Sequence, residues 1–210
     1  MRHGVGVDSV LDLDRTAGVI EEAAADIVGL QELDRGVQRS GGLDQPRVLA
    51  ELTGMDVHFH RTTSTGGGDY GIAVATRQRG TQQFIQLPRH GREEPRGAVV
   101  TQNGNLNIVI THVTKPGPAR ARQLQRLAEI IRDLGPNVVL MGDLNTERHD
   151  LGPLISAGLD PGPQHPTMVM TPRLQLDYVM TGPGVDLIDS WTIDTRASDH
   201  VALVAEIALK

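Results

Sequence analysis

A single α/β (α+β) domain with two packed sheets flanked by helices is the fold class that the 210 residues predict, and three observations carry that reading. Helix-like and strand-like patterns alternate along the chain; the strand-like runs are numerous and short; and several of them end in a polar side chain. A chain of this length can bury a substantial core without disulfides, and it contains no cysteine to form one. No internal repeat divides it, and Gly66-Gly67-Gly68 and the Pro/Gly-rich stretch 152–172 read as loops inside one domain.

Taken in order, residues 14–25 read as a helix, with Asp12 or Asp14 available to cap it and Ala17, Ile20 and Ala24 at helical spacing. It feeds an apolar strand, 26–32, with Glu32 at its end. Residues 44–52 form a short helix stopped by Gly54, and 70–76 and 97–101 read as strands. The strand 106–112 ends in His112. The longest helix, about 118–134, has Pro118 in its first turn and a stripe of Leu124, Leu127, Ile130, Ile131 and Leu134, and Gly135-Pro136 ends it. A strand over 138–146 closes on Gly142-Asp143-Leu144-Asn145, the strand 174–180 carries Asp177 inside an apolar segment, and Ser198-Asp199-His200 precedes the closing strand 201–209.

The Gly-Asp-x-Asn tip is the most informative piece. An apolar run there ends in two hard oxygen side chains, which strand alternation puts on one face while Leu144 points into the packing. Such a tip suits a metal or a phosphate, and an ordinary turn is the bland alternative, because Asp and Asn bond their own backbone. Oxygen donors without a thiolate match magnesium or manganese rather than zinc or copper. The net charge of -6 and pI near 5.7 disfavour a broad electrostatic grip on nucleic acid, and the few aromatics offer little base stacking. No segment is long and apolar enough to span a membrane, and Met1-Arg2-His3-Gly4 is not a signal peptide.

Leu30-Gln31-Glu32, Thr111-His112, Gly142-Asp143-Leu144-Asn145, Leu176-Asp177-Tyr178 and Ser198-Asp199-His200, in this order over essentially the whole chain, resemble the motifs of the endonuclease/exonuclease/phosphatase superfamily. Arg39-Ser40-Gly41, Asp44-Gln45, Tyr70-Gly71 and Glu94-Pro95-Arg96-Gly97 look like a bacterial subgroup of small hydrolases within it. The resemblance implies a deoxyribonuclease-I-like fold, a four-layer αββα sandwich. It also implies a first core strand ending in asparagine that has no counterpart here, so the expectation is one domain over 1–210, truncated at its N-terminus.

The same resemblance implies a Mg2+ site, with Mn2+ as substitute. Glu32 is the direct ligand, and Asp143, Asn145 and Asp199 complete the shell, hold its waters or serve a second ion. His112 and His200 flank the scissile phosphate, Asp177 orients one of them, and Asp143 is the alternative aligner of the attacking water. Arg96, with Asn145, is the candidate substrate contact, although an ion pair with Glu94 competes for that guanidinium. Thr167 lies where relatives place a threonine before an aromatic, but Met168 and Val169 depart from that pattern. His3, His58, His60, His90, His149 and His165 belong to surface or packing.

The implied activity is metal-dependent hydrolysis of a phosphodiester or phosphomonoester by direct water attack, on a small or lipid-linked substrate. The alternatives are a nuclease acting on DNA or RNA and a catalytically impaired metal- or phosphate-binding scaffold. The default compartment is the cytoplasm, with secretion left open by the missing strand.

Overall fold

A computed structural model describes residues 1–78 and 80–210. Its elements in chain order are α1 (Leu13–Ala23), β1 (Ile27–Arg35), α2 (Gln45–Thr53), β2 (Asp56–Thr65), β3 (Gly68–Thr76), β4 (Gln82–Gln86), β5 (Gly97–Asn103), β6 (Leu106–His112), α3 (Arg120–Leu134), β7 (Val138–Asp143), α4 (Gly152–Ile155), β8 (Asp177–Thr181), β9 (Val185–Ile193) and β10 (Ala202–Leu209).

Five strands form one sheet, in the order β4-β5-β6-β7-β8. Its neighbours are antiparallel except β6 and β7, which run parallel and are joined through α3, since a parallel pair needs a long crossover. The second layer holds the antiparallel set β1-β3-β2 and the separate hairpin β10-β9. Ile72 and Val74 of β3 meet Val99, Ile108 and Ile110 of the five-stranded sheet in the middle of the sandwich.

Helices close both outer faces. α1 and α2 bury Leu13, Ala17, Ile20 and Leu49 against Leu30, Leu33, Ala73 and Ala75. α3 lays Leu124, Leu127, Ile130 and Ile131 on Val109, Leu140 and Met180, each buried Leu or Ile being worth about 1.5–3 kcal/mol. The layers are therefore αββα, as the resemblance implied.

Local signals set most boundaries. Asp12 caps α1 by accepting from Arg15 N at 3.2 Å, Asp44 caps α2 through Arg47 N at 3.2 Å, and Gly54 ends α2 in the left-handed region.

Three expectations need correction. The stretch 152–172 is not all loop, because Gly152–Ile155 forms a helical turn whose Leu154 is buried under α3. Asp177 is the first residue of β8 rather than an interior position, since Thr167 Oγ1 takes the backbone N–H groups of Leu176 and Asp177 just as pairing begins. Strand β7 ends at Asp143, so Asn145 lies beyond it with φ 44°. The two side chains do meet, but through a turn in which Asp143 Oδ1 accepts from Asn145 N at 2.8 Å, and not by strand alternation.

Strands β2, β4 and β9 were not anticipated. They are largely half-exposed or exposed, so apolar alternation had little to report.

Candidate active site

Strand register lines up the chemistry at one end of the five-stranded sheet. His112 of β6 pairs with Asp143 of β7, and Asp143 with Asp177 of β8, so the three residues stand in a row across adjacent strands. Gly142 makes the row possible: at φ 136° it sits where a Cβ would run into the Thr111 carbonyl oxygen, one residue before His112.

The His112 part of the row is closed. His112 is 2% exposed, and Arg96 Nη1 donates to its Nδ1 at 2.9 Å while also pairing with Glu94 at 2.7 Å. A guanidinium only donates, so Nδ1 accepts and the ring proton belongs on Nε2, which faces Asp143 Oδ2 at 3.3 Å. Asn145 Nδ2 lies equally close to Nε2, but two donors do not bond. Its real acceptors are Val113 O at 2.9 Å and Asp143 Oδ2 at 3.1 Å. Burial pushes the Asp143 carboxyl up, yet hydrogen bonding and attraction from His112, with His200 and the Asn145 amide, bring it below the usual carboxylate range. Arg96 thus spends its Nη1 on Glu94 and His112, as the ion-pair alternative had it.

The His200 part is built from loops. Residues 198–200 are tied to the loop before β8 through Val169 N to Asp199 O at 3.0 Å and Val201 N to Thr167 O at 2.9 Å. His200 Nδ1 meets Asp177 Oδ2 at 2.7 Å, so His200 is the histidine beside Asp177, and its Nε2 makes no hydrogen bond among the described residues. Burial pulls this imidazole down, but the Asp177 hydrogen bond and charge, with Asp143 behind it, raise it to about 9. Asp199 is more exposed, its Oδ2 3.9 Å from Arg2 Nε. Thr167, whose role was open, pins Asp177 through the two backbone bonds already described.

Glu32 completes the ring of groups. It does not end its strand, as expected, because β1 runs on to Arg35; it sits inside at a β-bulge where the β1–β3 register shifts between Gln31 and Leu33, with φ 63°. That conformation costs about 1–3 kcal/mol in a non-glycine residue, and the bulge re-aims the side chain toward the row. Burial raises its carboxyl, but the Met1 amino group, His112 and Arg96 together hold it below the usual range. Tyr70 belongs here too. Its buried phenol is pushed up by burial and by the charges of Glu32 and Glu94, and its partner in β1 is Asp34, next along from Leu33. Sequence reasoning noted Tyr70 as a strand start and a subgroup mark; its pairing with β1 just beyond the Glu32 bulge was the signal it lacked. The histidines assigned to surface or packing stay outside the row: His60 stacks on Phe84, and His165 meets Ser190 at 2.8 Å.

No group of three His, Asp or Glu side chains converges as a metal cage among the described residues. The Asp143 oxygens are taken by Asn145 and His112, whereas Glu32 makes no hydrogen bond or ion pair among the described residues. One free, anionic carboxylate beside other oxygen groups fits a hard cation that keeps most of its waters, the habit of Mg2+.

A two-sheet sandwich thus carries carboxylate-paired imidazoles across its strand ends. Residues 5–200 match the family described as Endonuclease/Exonuclease/phosphatase family, and the chain belongs to it. Its members are hydrolases acting on phosphoesters and in general use divalent metal ions. No curated protein matches the sequence. Among solved structures the chain is similar to an endonuclease/exonuclease/phosphatase from Beutenbergia cavernae DSM 12333, with 25% identity, TM-score 0.82, and coverage of 99% of this chain and 69% of that one. A Bacteroides vulgatus endonuclease/exonuclease/phosphatase follows at 17% identity and TM-score 0.76, covering 97% and 94%. D. rerio TDP2, complexed with single strand DNA product, has 17% identity and TM-score 0.74, covering 98% and 96%. At such identities the last two speak for the fold.

Proposed function

We propose that the protein is a divalent-cation-dependent phosphoesterase that hydrolyses a small or lipid-linked phosphodiester or phosphomonoester by direct attack of water. The observation that carries this reading is the row His112–Asp143–Asp177–His200, in which each imidazole has its own carboxylate and the two carboxylates are strand partners. Phosphoryl transfer needs a placed nucleophile, neutralised phosphoryl oxygens and help for the leaving oxygen.

His200 presents Nε2 to a phosphoryl or leaving oxygen while Asp177 holds Nδ1, so the ring donates a hydrogen bond or a proton from a fixed position. His112 is locked by Arg96 and keeps its Nε2 proton toward Asp143, which orients the carboxylate that aligns the incoming water. Asn145 holds Asp143 from the other side and borders the substrate. Glu32 would hold Mg2+, or Mn2+ in its place, with Asp143, Asn145 and Asp199 as the further oxygen groups of the site; when bound, the cation would supply charge neutralisation at the phosphate.

A nuclease reading has one observation in its favour. The loops that follow β4 and β6, beside Arg96 and His112, and the first turn of α3 expose Arg89, Arg92, Lys115 and Arg122, a local basic rim on an acidic protein. The printed description of the D. rerio protein points the same way for that protein. The small-ester reading stays ahead because the net charge of -6 opposes a long polyanion.

The test is an assay of the purified protein on bis(p-nitrophenyl) phosphate, p-nitrophenyl phosphate, inositol and choline phosphoesters, and supercoiled plasmid at low salt. Small esters should turn over, stop with excess chelator and resume with Mg2+ or Mn2+. Undiminished hydrolysis in chelator would overturn the mechanism, and plasmid cleavage without ester turnover would transfer the assignment to the nuclease.

A further inference from the structure

We infer that Arg39 recognises a second anionic group of the substrate, a phosphate or carboxylate carried beside the scissile phosphoryl group. Phosphoesters with an anionic remainder are then preferred to those with a neutral or cationic one. The inference names the substrate class of the site proposed above and rests on that reading; its test reads binding without turnover, so the two fail separately.

Arg39 is fixed on two sides. Its Nε and Nη2 each donate at 2.8 Å to one oxygen of Asp34, a fully buried carboxylate, and its guanidinium carbon lies 5.3 Å from the centre of the Tyr70 ring. Asp34 is held in turn: its N–H donates to Gln45 Oε1 at 2.9 Å, and Gln45, also buried, donates to His3 O at 2.6 Å. The loop that carries Arg39 is closed on itself, with Gly36 N on Leu43 O at 2.8 Å, Gly42 N on Val37 O at 3.0 Å and the Ser40 hydroxyl on Val37 O at 3.1 Å. Gly41 and Gly42, at φ 69° and 71°, let it turn. Asp44 caps the helix that begins with Gln45. Arg39-Ser40-Gly41, Asp44-Gln45 and Tyr70, which the hydrolytic chemistry leaves unused, therefore form one device.

What the device fixes is a donor edge. A guanidinium carries five N–H groups. Arg39 spends two on Asp34, the other three make no hydrogen bond among the described residues, and the side chain is 46% exposed. A buried carboxylate paired with an arginine contributes little net stability, and apolar residues at both positions would serve the core as well; what the pair supplies is a position. A planar fork with a free edge suits a phosphate or carboxylate, which it meets through parallel hydrogen bonds. Arg35 gives the contrast, because strand alternation sends it to the other face of β1, where it pairs with Asp69 at 2.8 Å and covers Phe59. Asp34 and its strand partner Tyr70 lie just past Glu32, and the charge of Glu32 reaches Arg39. Glu32 and His200 border an open cavity of ≈ 600 Å³ whose lining along β1 ends at Glu32, so Arg39 stands one step outward from the reacting groups. With the phosphoryl group beside Glu32, the remainder of a small ester extends toward Arg39. An anion there is gripped, and a cationic headgroup such as choline is repelled.

The experiment measures binding by titration calorimetry in excess chelator, where the proposed hydrolysis is off, with two matched pairs of probes. Glycerol 3-phosphate and 3-phosphoglycerate differ by a carboxylate; fructose 6-phosphate and fructose 1,6-bisphosphate differ by a phosphate. In at least one pair the doubly anionic probe should bind about tenfold tighter than its partner, the gain typical of hydrogen bonds to a charged group, and the pair that shows it names the anion. Arg39→Lys keeps the charge and a partner for Asp34 but loses the fork, so it should erase most of that preference while the singly anionic probes bind as before. Asp34→Asn combined with Arg39→Gln removes both charges of the pair at once, leaves no buried charge unpaired, and should erase the preference too, which keeps the test open if the lysine variant folds poorly. Arg122→Gln, which takes a cation from the basic rim, should leave the preference intact; an equal loss there would mean general attraction and overturns the proposal. So does a wild-type protein with no preference in either pair, or a preference that survives in both Arg39 variants. Absence of the preference beside intact ester turnover sinks this inference alone, whereas the preference without any turnover leaves the anion site standing and sinks the phosphoesterase reading.

Discussion

His112 and His200 are both imidazoles held by an aspartate, yet they are held in different ways. His112 is anchored inside a continuous sheet, with Arg96 on one ring nitrogen and Asp143 on the other, and is almost fully buried. His200 hangs from the loop that enters β10, its ring has one hydrogen-bond partner among the described residues, Asp177, and it borders the open cavity. On the proposed mechanism the first arrangement would fix a group before substrate arrives and the second would leave a ring nitrogen to meet it, separating orientation from reaction within one row of residues.

Replacing each histidine by alanine should break the comparison most visibly. Both changes should lower kcat by about two or more orders of magnitude, in keeping with typical acid–base or electrostatic contributions. Above pH 9, where the His200–Asp177 pair no longer contributes, only His112→Ala should also unfold earlier, because it strips a hydrogen bond from buried Asp143 and from Arg96, at about 1–3 kcal/mol. At this chain length each kcal/mol moves the midpoint by about 2–4 °C. Equal thermal midpoints for the two variants would mean that the closed side is no better braced than the open one. Near-normal kcat in His200→Ala would reduce that residue to a structural histidine.

Next in size is Glu32→Gln, which keeps the shape of the bulge side chain but removes its charge. Mg2+ affinity, measured by titration calorimetry, should fall by about 10–100-fold, with the thermal midpoint of the metal-free protein nearly unchanged. Unaltered Mg2+ binding would shift the ligand role to Asp143 or Asp199.

The sheet side was easier to read from sequence than the loop side. Val138 to Asp143 announces itself as a buried strand with a polar tip, and the helix α3 shows its stripe, whereas the four layers came from the family resemblance and the His112–Asp143 pairing from the register of β6 on β7. The His200 side depends on contacts between segments far apart in the chain: Thr167 with Asp177, Met168 with His200, Asp177 with His200. No local pattern encodes those, and the partner of Asp177 stayed open for that reason. Asn145 shows the same limit at short range. Its nearness to Asp143 was foreseen, but the turn that produces it was not, because a left-handed asparagine leaves no mark on hydrophobic periodicity.

Acid–base behaviour sharpens the contrast further. In the metal-free protein His200 titrates at about 9, above the 6.5 of a free imidazole, because Asp177 pairs with it and Asp143 lies behind. The stabilisation from that pair is fully present below pH 6.5 and is lost as pH rises through about 9. Asp177→Asn removes the charge and should therefore cost more stability at pH 6 than above pH 9, with a smaller loss of kcat than His200→Ala. Parallel stability curves for wild type and Asp177→Asn from pH 6 to pH 10 would sever the pair from the fold.

The smallest effect should come from Thr167→Val, which keeps the volume and removes a hydroxyl that touches no substrate. Thr167 Oγ1 accepts from the amides of Leu176 and Asp177, at 3.1 and 3.2 Å, and is fully buried. Losing it leaves two inward-facing donors unpaired, at a cost of about 1–3 kcal/mol. Because those amides set where β8 starts, Asp177 should lose its fixed approach to His200, and kcat should drop by less than the hundred-fold expected when the imidazole itself is removed. Thr167→Ser restores the acceptor and should recover both stability and rate, which a defect of packing alone would not allow. If valine and serine behave alike, the hydroxyl is not what positions Asp177, and the loop side is held by its backbone bridges instead.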